Sequence, residues 1–237
     1  MLTVNFKHIP IRANDYVLDL GCGEGRHAIG TAYYFPESTV IGLDLSFQDL
    51  QNAQSKSRDF FGKKTCTFIQ ANGFHLPFSN EAFDHIICSE VLEHIQDYQA
   101  FLIEITRILK PGGSLSISVP TRWPEKICWS LAEEYAQVEG GHVHIFNLRQ
   151  LSEDIVQLRF NFIRQHKSHA LHTPYWWLKC MFWNAKKENI LLRSYHKLLV
   201  WDLLKRPLIT RALEQILNPF LGKSHVAYFK KAHDKTV

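Results

Sequence analysis

The most constraining feature of this sequence is a regular alternation of short apolar runs with longer amphipathic segments. Two of the amphipathic segments predict helices, because Ser46–Phe61 begins with a capping pattern and Asp97–Leu109 carries apolar residues at helical spacing. Alternation of this kind predicts an α/β fold in which helices cover both faces of a mostly parallel sheet. The apolar runs suit strands buried on both faces, and they are Tyr16–Leu20, Val40–Asp44, Thr67–Ala71, Phe83–Ser89 and Leu115–Val119.

The pattern changes after Pro120. Residues 1–121 hold nine Lys and Arg against 13 Asp and Glu, whereas residues 122–237 hold 18 against 10. All six tryptophans also lie in this basic second part. The two parts are therefore expected to have different roles or differently composed surfaces. The elements we predict here are helices over Glu125–Gln137, from Asn147, from Thr173-Pro174 and over Ile190–Lys205, and a last strand over 225–232.

A glycine-rich turn follows the first predicted strand, in the stretch "YVLDLGCGEGRHA". The apolar run ends at Asp19, and Gly21, Gly23 and Gly25 then occupy alternate positions. Fixing glycine costs conformational entropy, so a turn this rich in glycine usually lets a ligand approach the main chain. The turn lies at the carboxyl end of a strand, where open parallel sheets bind ligands, and we expect its N–H groups and the next helix N-terminus to hold an anionic group.

An acidic residue ends the second predicted strand. Asp44 follows the glycines by about 20 residues, the place from which an acid binds the hydroxyls of a ribose. The glycine spacing is Gly-x-Gly-x-Gly, which differs from the Gly-x-Gly-x-x-Gly of dinucleotide sites. The sequence therefore predicts a ligand with a ribose and an anionic end, held without the dinucleotide pattern.

Four segments occur in order and together resemble the motifs of one enzyme family: "VLDLGCGEG", "GLDLS", "ANGFHLPFSNEAFDHIICSEVLEHI" and "LKPGGSLSISVP". They resemble class I S-adenosylmethionine-dependent methyltransferases, in particular the broad group that includes the ubiquinone and menaquinone biosynthesis enzymes. The resemblance covers about residues 15–120, and "HVAYFKK" is similar to the last strand of that fold. It implies a Rossmann-like doubly wound α/β sheet, mostly parallel with a last antiparallel strand, plus a helical lid or insertion.

The resemblance also implies a binding site for S-adenosylmethionine. Asp19 and the main chain around Gly21 and Gly23 would flank the methionine part, and Asp44 would bind the ribose. Asparagine stands at position 72, where relatives often have aspartate, and its amide oxygen can still accept from the adenine amino group. The complete set of implied donor residues is Asp19, Gly21, Cys22, Gly23, Asp44, Leu45, Asn72, Gly73 and Ser89, the last of them where the methyl group meets the acceptor.

We expect a single methyltransferase domain over residues 1–237, with its cofactor-binding core at 15–120. Residues 121–146 and 170–222 are the expected lid segments on the acceptor side. Their aromatic residues predict a bulky, partly apolar small-molecule acceptor, such as a quinone-like, lipid-linked or natural-product molecule, methylated on oxygen. The candidate acceptor residues are Trp123, Trp129, Tyr175 and Trp176; the alternative is that such aromatic residues pack the lid onto the core.

Histidines supply candidate bases, which methyl transfer needs only if the acceptor must lose a proton. Among His27, His94, His142 and His144, we favour His142 and His94. A divalent metal is the alternative role, because "SEVLEHI" would present Glu90, Glu93 and His94 on one helical face, joined by His142. Some class I O-methyltransferases hold an ion in a similar Glu-x-x-Glu-His motif. The other interpretation is that these acids only complement a helix dipole.

Two other functions stay open at this stage. The basic second part is the one feature that favours a nucleic-acid methyltransferase, but it contains no recognised RNA-binding module, and we expect no nucleic-acid partner. A protein that binds S-adenosylmethionine without catalysis would share the same glycines and Asp44. The five widely spaced cysteines indicate a reducing compartment, so we expect a cytoplasmic protein without a transmembrane segment, whose peripheral membrane contact and oligomeric state are open.

Overall fold

A seven-stranded mixed sheet forms the centre of the computed structural model, which describes residues 2–62, 66–132, 134–135, 141–185 and 189–233. The strand order is β3-β2-β1-β4-β5-β7-β6; the first five strands are parallel, and β7 runs antiparallel between β5 and β6. The Rossmann-like fold class with a last antiparallel strand is therefore confirmed. The strands are β1 (Tyr16–Leu20), β2 (Thr39–Asp44), β3 (Cys66–Gln70), β4 (Phe83–Ser89), β5 (Leu109–Pro120), β6 (Phe160–Ser168) and β7 (Ser224–Lys231).

Helices connect the strands and cover the sheet. Two of them have side-chain caps: Ser46 Oγ accepts from the amide of Asp49, as its capping pattern predicts, and Asp97 Oδ1 accepts from the amide of Ala100. Gly62 ends the first of these helices in the left-handed conformation that glycine favours. The helices are α1 (Arg26–Tyr34), α2 (Phe47–Phe61), α3 (Tyr98–Ile108), α4 (Arg122–Leu131), α5 (Leu148–Gln157), α6 (His172–Met181), α7 (Ile190–Lys205) and α8 (Leu208–Leu221).

Both faces of the sheet are buried, which explains why its central strands are apolar throughout. The larger core lies under α3 and α5, where Phe101, Ile105 and Leu151 pack on β4 and β5. On the opposite face the N-terminal segment contributes Val4 and Phe6, among others, against β1 and β7. Among the described residues no helix has the length and apolarity that a bilayer-spanning segment requires.

The structure corrects several predicted elements in the second part. The helix predicted over 125–137 begins at Arg122 and ends at Leu131 in the structure, and residues 133 and 136–137 of the prediction lie outside the described ones. Thr173 is not a helix cap, because α6 starts at His172 and the Thr173 hydroxyl donates instead to Leu221 O. Neither β6 nor α8 was predicted. Most of β6 is exposed, so its stability comes from pairing with β7 and not from the burial of apolar side chains.

The strand order reverses direction between β1 and β4, and ligands of open α/β sheets bind at such a switch point. The glycine turn follows β1 there, and Ser89 ends β4. Ser89 pairs in register with Ser118 of β5, and Pro120 lies opposite Ser224 at the start of β7. The fold thus brings the turn, the ends of β2, β4 and β5, and the start of β7 to one edge of the sheet.

Candidate active site

The three glycines of the turn have positive φ angles, +70° at Gly21, +49° at Gly23 and +79° at Gly25. Their surroundings differ. A Cβ on Gly21 would lie 2.3 Å from Val91 Cγ2, and one on Gly25 would lie 2.9 Å from Ala53 Cβ. A Cβ on Gly23 would meet nothing within 4 Å. Gly21 and Gly25 therefore permit close packing of the protein itself, and Gly23 is the glycine that faces open space.

Asp44 lies beside that open space and is held by two backbone amides. Its Oδ2 accepts from the amide of Gly23 at 2.7 Å, and its Oδ1 accepts from the amide of Ser46 at 2.9 Å. Each carboxylate oxygen can accept a further bond, so the group keeps capacity for two hydroxyls. Leu45, the next residue, is 71% exposed and offers an apolar surface at the same place.

The remaining amides of the turn are mostly used within the protein, which corrects the expectation of free N–H groups. Those of Gly21 and Cys22 both donate to Leu43 O, at 2.7 and 2.9 Å, and that of Gly25 donates to Cys22 O. An anionic group at this turn must therefore be met by the N-terminus of α1, which begins at Arg26.

Asp19 is buried beneath the turn. Its Oδ2 accepts from the amide of Ala28 at 2.8 Å, which ties the end of β1 to the first turn of α1. Burial raises the pKa of this carboxyl to about 7, and nearby Asp44 acts in the same direction, while the Ala28 amide and Arg26 oppose them. A cationic ligand nearby would favour the charged form. Burial likewise raises the pKa of the Cys22 thiol, which keeps it protonated at neutral pH.

The segment after β3, which contains Asn72 and Gly73, forms a turn that packs closely against α3. Asn72 Oδ1 accepts from the amide of Phe74 at 2.9 Å and closes a turn, so this oxygen already has one partner. A Cβ on Gly73 would lie 2.2 Å from a ring carbon of Phe101 in α3. Glycine is therefore required here by helix packing, whether or not a ligand lies beside it.

The end of β4 leads into a small cavity. The hydroxyls of Ser89 and Ser118 lie 2.8 Å apart, and the Ser118 hydroxyl donates to Glu90 Oε1 at 2.8 Å. Glu90 has a φ of +58°, the left-handed conformation that is uncommon for residues other than glycine. The resulting cavity has a volume of about 180 Å³ and is lined by Thr3, Arg26, Glu90, His169, His172, Trp176, Lys223 and Ser224.

The prediction that Glu90, Glu93 and His94 share one helical face is wrong. Leu92–His94 forms a short 3-10 turn, and Glu90 turns away to bind Ser118. Glu93 and His94 nevertheless approach His142, with one potential ligand atom of each residue within 4.8 Å of those of the other two.

A buried carboxylate orients His142. Nδ1 of His142 lies 2.5 Å from Glu125 Oε1, and the same oxygen accepts a hydrogen bond from Trp129 Nε1 at 3.2 Å. Burial alone would raise the pKa of Glu125, but the hydrogen bond and charge of His142, with Lys223 and Trp129, lower it overall. Glu125 is thus a charged partner that fixes the imidazole of His142 in one orientation.

The second-part aromatic residues do not converge on one pocket. Trp129, Trp176, Trp177 and Trp183 are half-buried and pack on a cluster of Cys128, Ala132, Tyr135 and Cys180. Of the predicted acceptor residues, Trp176 alone lines the small cavity, and its ring also lies 4.6 Å from Lys179 Nζ and 4.8 Å from Lys223 Nζ.

Trp123 and Tyr175 lie elsewhere. Trp123 donates to Phe220 O and lines a larger cavity of about 960 Å³, and the Tyr175 ring packs near His196. None of the residues lining the larger cavity belongs to the glycine turn or to the ends of β1, β2 and β4. The small cavity, in contrast, is lined by Arg26 at the start of α1 and by Glu90 directly after β4.

Three contributors to the site were missed from the sequence. Arg26 and Lys223 line the small cavity, and Glu125 orients His142. Glu125 looks like an ordinary acid in the first turn of α4, which complements the helix dipole. Lys223 has no local signal, because it reaches the site through the long-range pairing of β7 with β5.

Comparisons with known proteins give a consistent family. A family model described as a methyltransferase domain matches residues 11–176. Demethylmenaquinone methyltransferase of Lactobacillus johnsonii is 34% identical over 146 residues, 58% of this chain and 60% of the relative. The Staphylococcus saprophyticus protein of the same name is 27% identical over 80% of this chain and 77% of the relative. The solved structure of BH2331 from Bacillus halodurans is similar over 96% of both chains, with a TM-score of 0.65 and 18% identity.

The chain spans less than two thirds of several of these relatives. The Lactobacillus johnsonii match covers 60% of that protein, and three further relatives are matched over 39–43% of their lengths. The matched part of the present chain nevertheless contains the complete glycine turn, Asp44 and the end of β4. On the strength of the family model, the relatives and the fold, the chain belongs to the class I S-adenosylmethionine-dependent methyltransferases.

Proposed function

We propose that the protein transfers the methyl group of S-adenosylmethionine to an oxygen of a small, partly apolar acceptor. The observation that carries this proposal is the opening beside Gly23, flanked by the Asp44 carboxylate, at the same sheet edge as the cavity next to Glu90. The donor would lie across the first opening with its sulfonium towards the second. In the reaction the acceptor oxygen forms a bond to the methyl carbon, the sulfur keeps the electron pair of the broken bond, and the acceptor proton leaves.

In this proposal each donor residue has a defined task. Asp44 binds the two ribose hydroxyls, and the open side of Gly23 admits the main part of the ligand. Asp19 lies under the turn, on the side of the methionine ammonium and sulfonium, whose positive charge would keep it ionised. Leu45, Asn72 and Gly73 border the adenine, and Cys22 supports the turn from below. Ser89 ends the strand that leads to the transferred methyl group.

The acceptor would enter the small cavity with its reacting end only. A space of about 180 Å³ holds one ring or a short polar head, so the rest of a larger acceptor must extend outside. Trp176 offers an aromatic edge, and Arg26 and Lys223 offer positive charge for an anionic or phenolic oxygen. A ring with an apolar tail fits this description, and two relatives named demethylmenaquinone methyltransferase support a quinone-type acceptor. We keep 15–120 as the donor part and 121–146 and 170–222 as the acceptor side of one domain.

We further propose that the acceptor side contacts an anionic membrane surface. The apolar side chains on one face of α8 are exposed, between 44% and 81%, and they are Leu208, Ile209, Leu213, Ile216 and Phe220. The exposed charges on α7, α8 and their connection are basic within the described residues, since Asp202 is buried and Glu214 is half-buried. Aliphatic side chains interleaved with Lys and Arg suit a bilayer better than a polynucleotide.

The location of α8 connects this face with the small cavity. The carbonyl of Phe220 accepts from Trp123 Nε1, and that of Leu221 accepts from the Thr173 hydroxyl one helical turn from Trp176. A lipid-soluble acceptor could therefore pass from a membrane to the cavity along α8. The buried, unpaired cysteines are consistent with a reducing compartment, so we propose the cytoplasmic side of such a membrane.

Incubation with methyl-labelled S-adenosylmethionine tests the proposal directly. We expect label transfer to a demethylated isoprenoid naphthoquinol or to a simple hydroquinone, together with saturable calorimetric binding of the donor. Nuclear magnetic resonance of the product distinguishes an O-methyl from a C-methyl group. A C-methyl product would overturn the assignment to oxygen while leaving methyl transfer intact. Donor binding without transfer to these acceptors or to small molecules of a cell extract would instead indicate a binding protein.

A further inference from the structure

One buried carboxylate at the candidate active site has no partner. Glu93 is fully buried, and neither of its carboxylate oxygens has a hydrogen-bond partner among the described residues. An ionised carboxylate in such a position costs several kcal/mol unless a charge or hydrogen bonds compensate it. Both unpartnered oxygens belong to the group that approaches His94 and His142.

The two histidines are oriented as metal-binding histidines usually are. Nδ1 of His142 is held by the buried Glu125 carboxylate, which leaves Nε2 on the side away from Glu125. Nδ1 of His94 lies 3.2 Å from Gly141 O, so a backbone carbonyl orients that ring as well. Metal ligands commonly have a carboxylate or carbonyl of this kind on the second ring nitrogen, because it fixes the tautomer and the ring direction.

Charge also favours a cation at this place. Two acidic side chains, Glu90 and Glu125, and one basic side chain, Lys223, lie close enough to Glu93 to interact with it electrostatically. Glu93 therefore has two acidic neighbours against one lysine, and one of these acids, Glu125, also contacts His142. The backbone supports the geometry, because the amides of Val143 and His144 donate to Glu93 O and hold the His142 segment against the 3-10 turn.

We propose that Glu93, His94 and His142 bind one divalent first-row transition-metal ion, with Glu125 as the positioning residue for His142. Two imidazoles and one carboxylate suit Mn²⁺, Fe²⁺, Co²⁺ or Zn²⁺ better than Mg²⁺ or Ca²⁺, which prefer oxygen ligands. Three protein ligands leave coordination positions open for water or an acceptor oxygen. His142 is then a ligand and not the base.

The chemical consequence rests on the proposed function. A hydroxyl bound to such an ion has a lowered pKa and loses its proton to water more readily, which makes its oxygen a better methyl acceptor. The ion would lie next to the connection that begins at Glu90, and Glu90 also lines the small cavity. Metal binding itself does not depend on this reaction and can be tested separately.

Cobalt titration of the purified full chain provides the test. We expect one equivalent of Co²⁺ to produce a visible d–d absorption band, displaced by Zn²⁺, and Glu93→Gln and His142→Ala to weaken the binding at least tenfold. His144→Ala is the matched control, since His144 lies two residues from His142 but contacts Gln96 O outside the cluster. Absence of a stoichiometric band, or equal loss of binding in the His144 variant, would overturn the proposal.

Thermal unfolding separates a metal site from a merely structural role. Without metal, Glu93→Gln removes an uncompensated carboxylate and should unfold at the same temperature as the wild type or higher. With metal, the wild type alone should gain stability. If Glu93→Gln destabilises the protein and metal stabilises both forms equally, the carboxylate is structural and the metal proposal fails. If the protein binds one equivalent of metal but transfers no methyl group, the result contradicts the proposed function and not the metal site. If the protein binds no metal and transfers methyl groups fully in excess chelator, the result contradicts the metal site and not the proposed function.

Discussion

The amide of Gly23 donates to Asp44 Oδ2 at 2.7 Å, so the residue that would bind the ribose also holds the glycine turn. Asp44→Ala removes this bond and the one from the amide of Ser46. We expect tenfold to hundredfold weaker binding of S-adenosylmethionine, together with a loss of about 1–2 kcal/mol in the free energy of unfolding. Calorimetry and denaturant unfolding measure the two effects.

Asp97→Ala is the control for that experiment. Asp97 accepts from the amide of Ala100 at the start of α3, so its loss should destabilise the protein by about 1 kcal/mol without changing donor affinity. Unchanged affinity in the Asp44 variant would remove Asp44 from the donor site.

Substitution of Gly21 should mainly lower the stability of the protein, whereas substitution of Gly23 should mainly lower its affinity for the donor. In Gly21→Ala the new methyl group would collide with Val91 Cγ2, so we expect a loss of stability that Val91→Ala partly restores. In Gly23→Ala the methyl group enters open space, and the cost to folding should be limited to the strained φ, about 1–2 kcal/mol. Donor affinity should fall mainly in the Gly23 variant. Equal affinity of the Gly23 variant and the wild type would show that no ligand occupies the space beside this glycine.

Trp176→Ala should affect both stability and acceptor binding. The indole packs on the buried cluster around Tyr135 and also lines the small cavity. We expect a loss of up to about 3 kcal/mol, below the full value for a core tryptophan because the residue is only half-buried, and a several-fold higher KM for the acceptor. Trp183→Ala is the matched control, because Trp183 packs on the same cluster without lining the cavity. If both variants have the same KM, the aromatic cluster is scaffold alone.

Elements that depend on interactions between residues close in sequence were predicted correctly, and elements that depend on contacts between distant residues were not. The central strands, α2 and α3 could be predicted because burial on both faces and local capping leave a record in consecutive residues. The edge strand β6 could not, because its stability comes from pairing with β7 more than 50 residues away in sequence. Helix α8 was missed because Pro207 precedes it and Pro219 lies within it, and proline commonly interrupts a helix.

At the site, the sequence indicated only part of the set of residues, and it did not indicate what each one contacts. Gly21 and Gly73 were expected to lie beside the ligand, and the structure adds a packing reason for both glycines, the close approach of Val91 and of Phe101. Glu90 was expected to face the histidines, but the left-handed turn at this residue directs it to Ser118. Such outcomes depend on tertiary neighbours, which a motif does not contain.

His27 should make folding sensitive to acid. Its Nε2 accepts from the amides of Thr3 and Val4, a role that requires the neutral ring, and burial lowers its pKa to about 3. Because the unfolded value is about 6.5, this stability is present above pH 6.5 and is lost as the pH falls towards 3, by about 2 kcal/mol at pH 5.

The comparison with a variant isolates the contribution of His27. His172 and His225 also have pKa values lowered by burial, to about 4, and act in the same direction. His27→Gln keeps an acceptor for the two amides and should reduce the loss of stability between pH 7 and pH 5. Identical pH profiles of the two proteins in urea unfolding would exclude His27 as a contributor.

The exposed face of α8 should control binding to lipid vesicles. Replacing Ile209, Ile216 and Phe220 together by Gln removes most of the apolar contact, and we expect at least tenfold weaker co-sedimentation with phosphatidylglycerol vesicles. Binding of the wild type should weaken at high salt and on phosphatidylcholine vesicles. Val156→Gln, at an exposed apolar residue of α5, is the control. A salt-independent dimer without vesicle binding would assign the face to a second copy of the chain.

All five cysteines are buried and unpaired, and this makes the protein well suited to site-directed labelling. Thiol reagents attack the exposed thiolate, so the native cysteines should react slowly while the protein stays folded. A single cysteine introduced at an exposed position, such as Phe220→Cys or Leu45→Cys, would then carry a probe without removal of the native thiols. An environment-sensitive dye at one position would report contact with lipid, and at the other it would report arrival of a ligand beside Asp44.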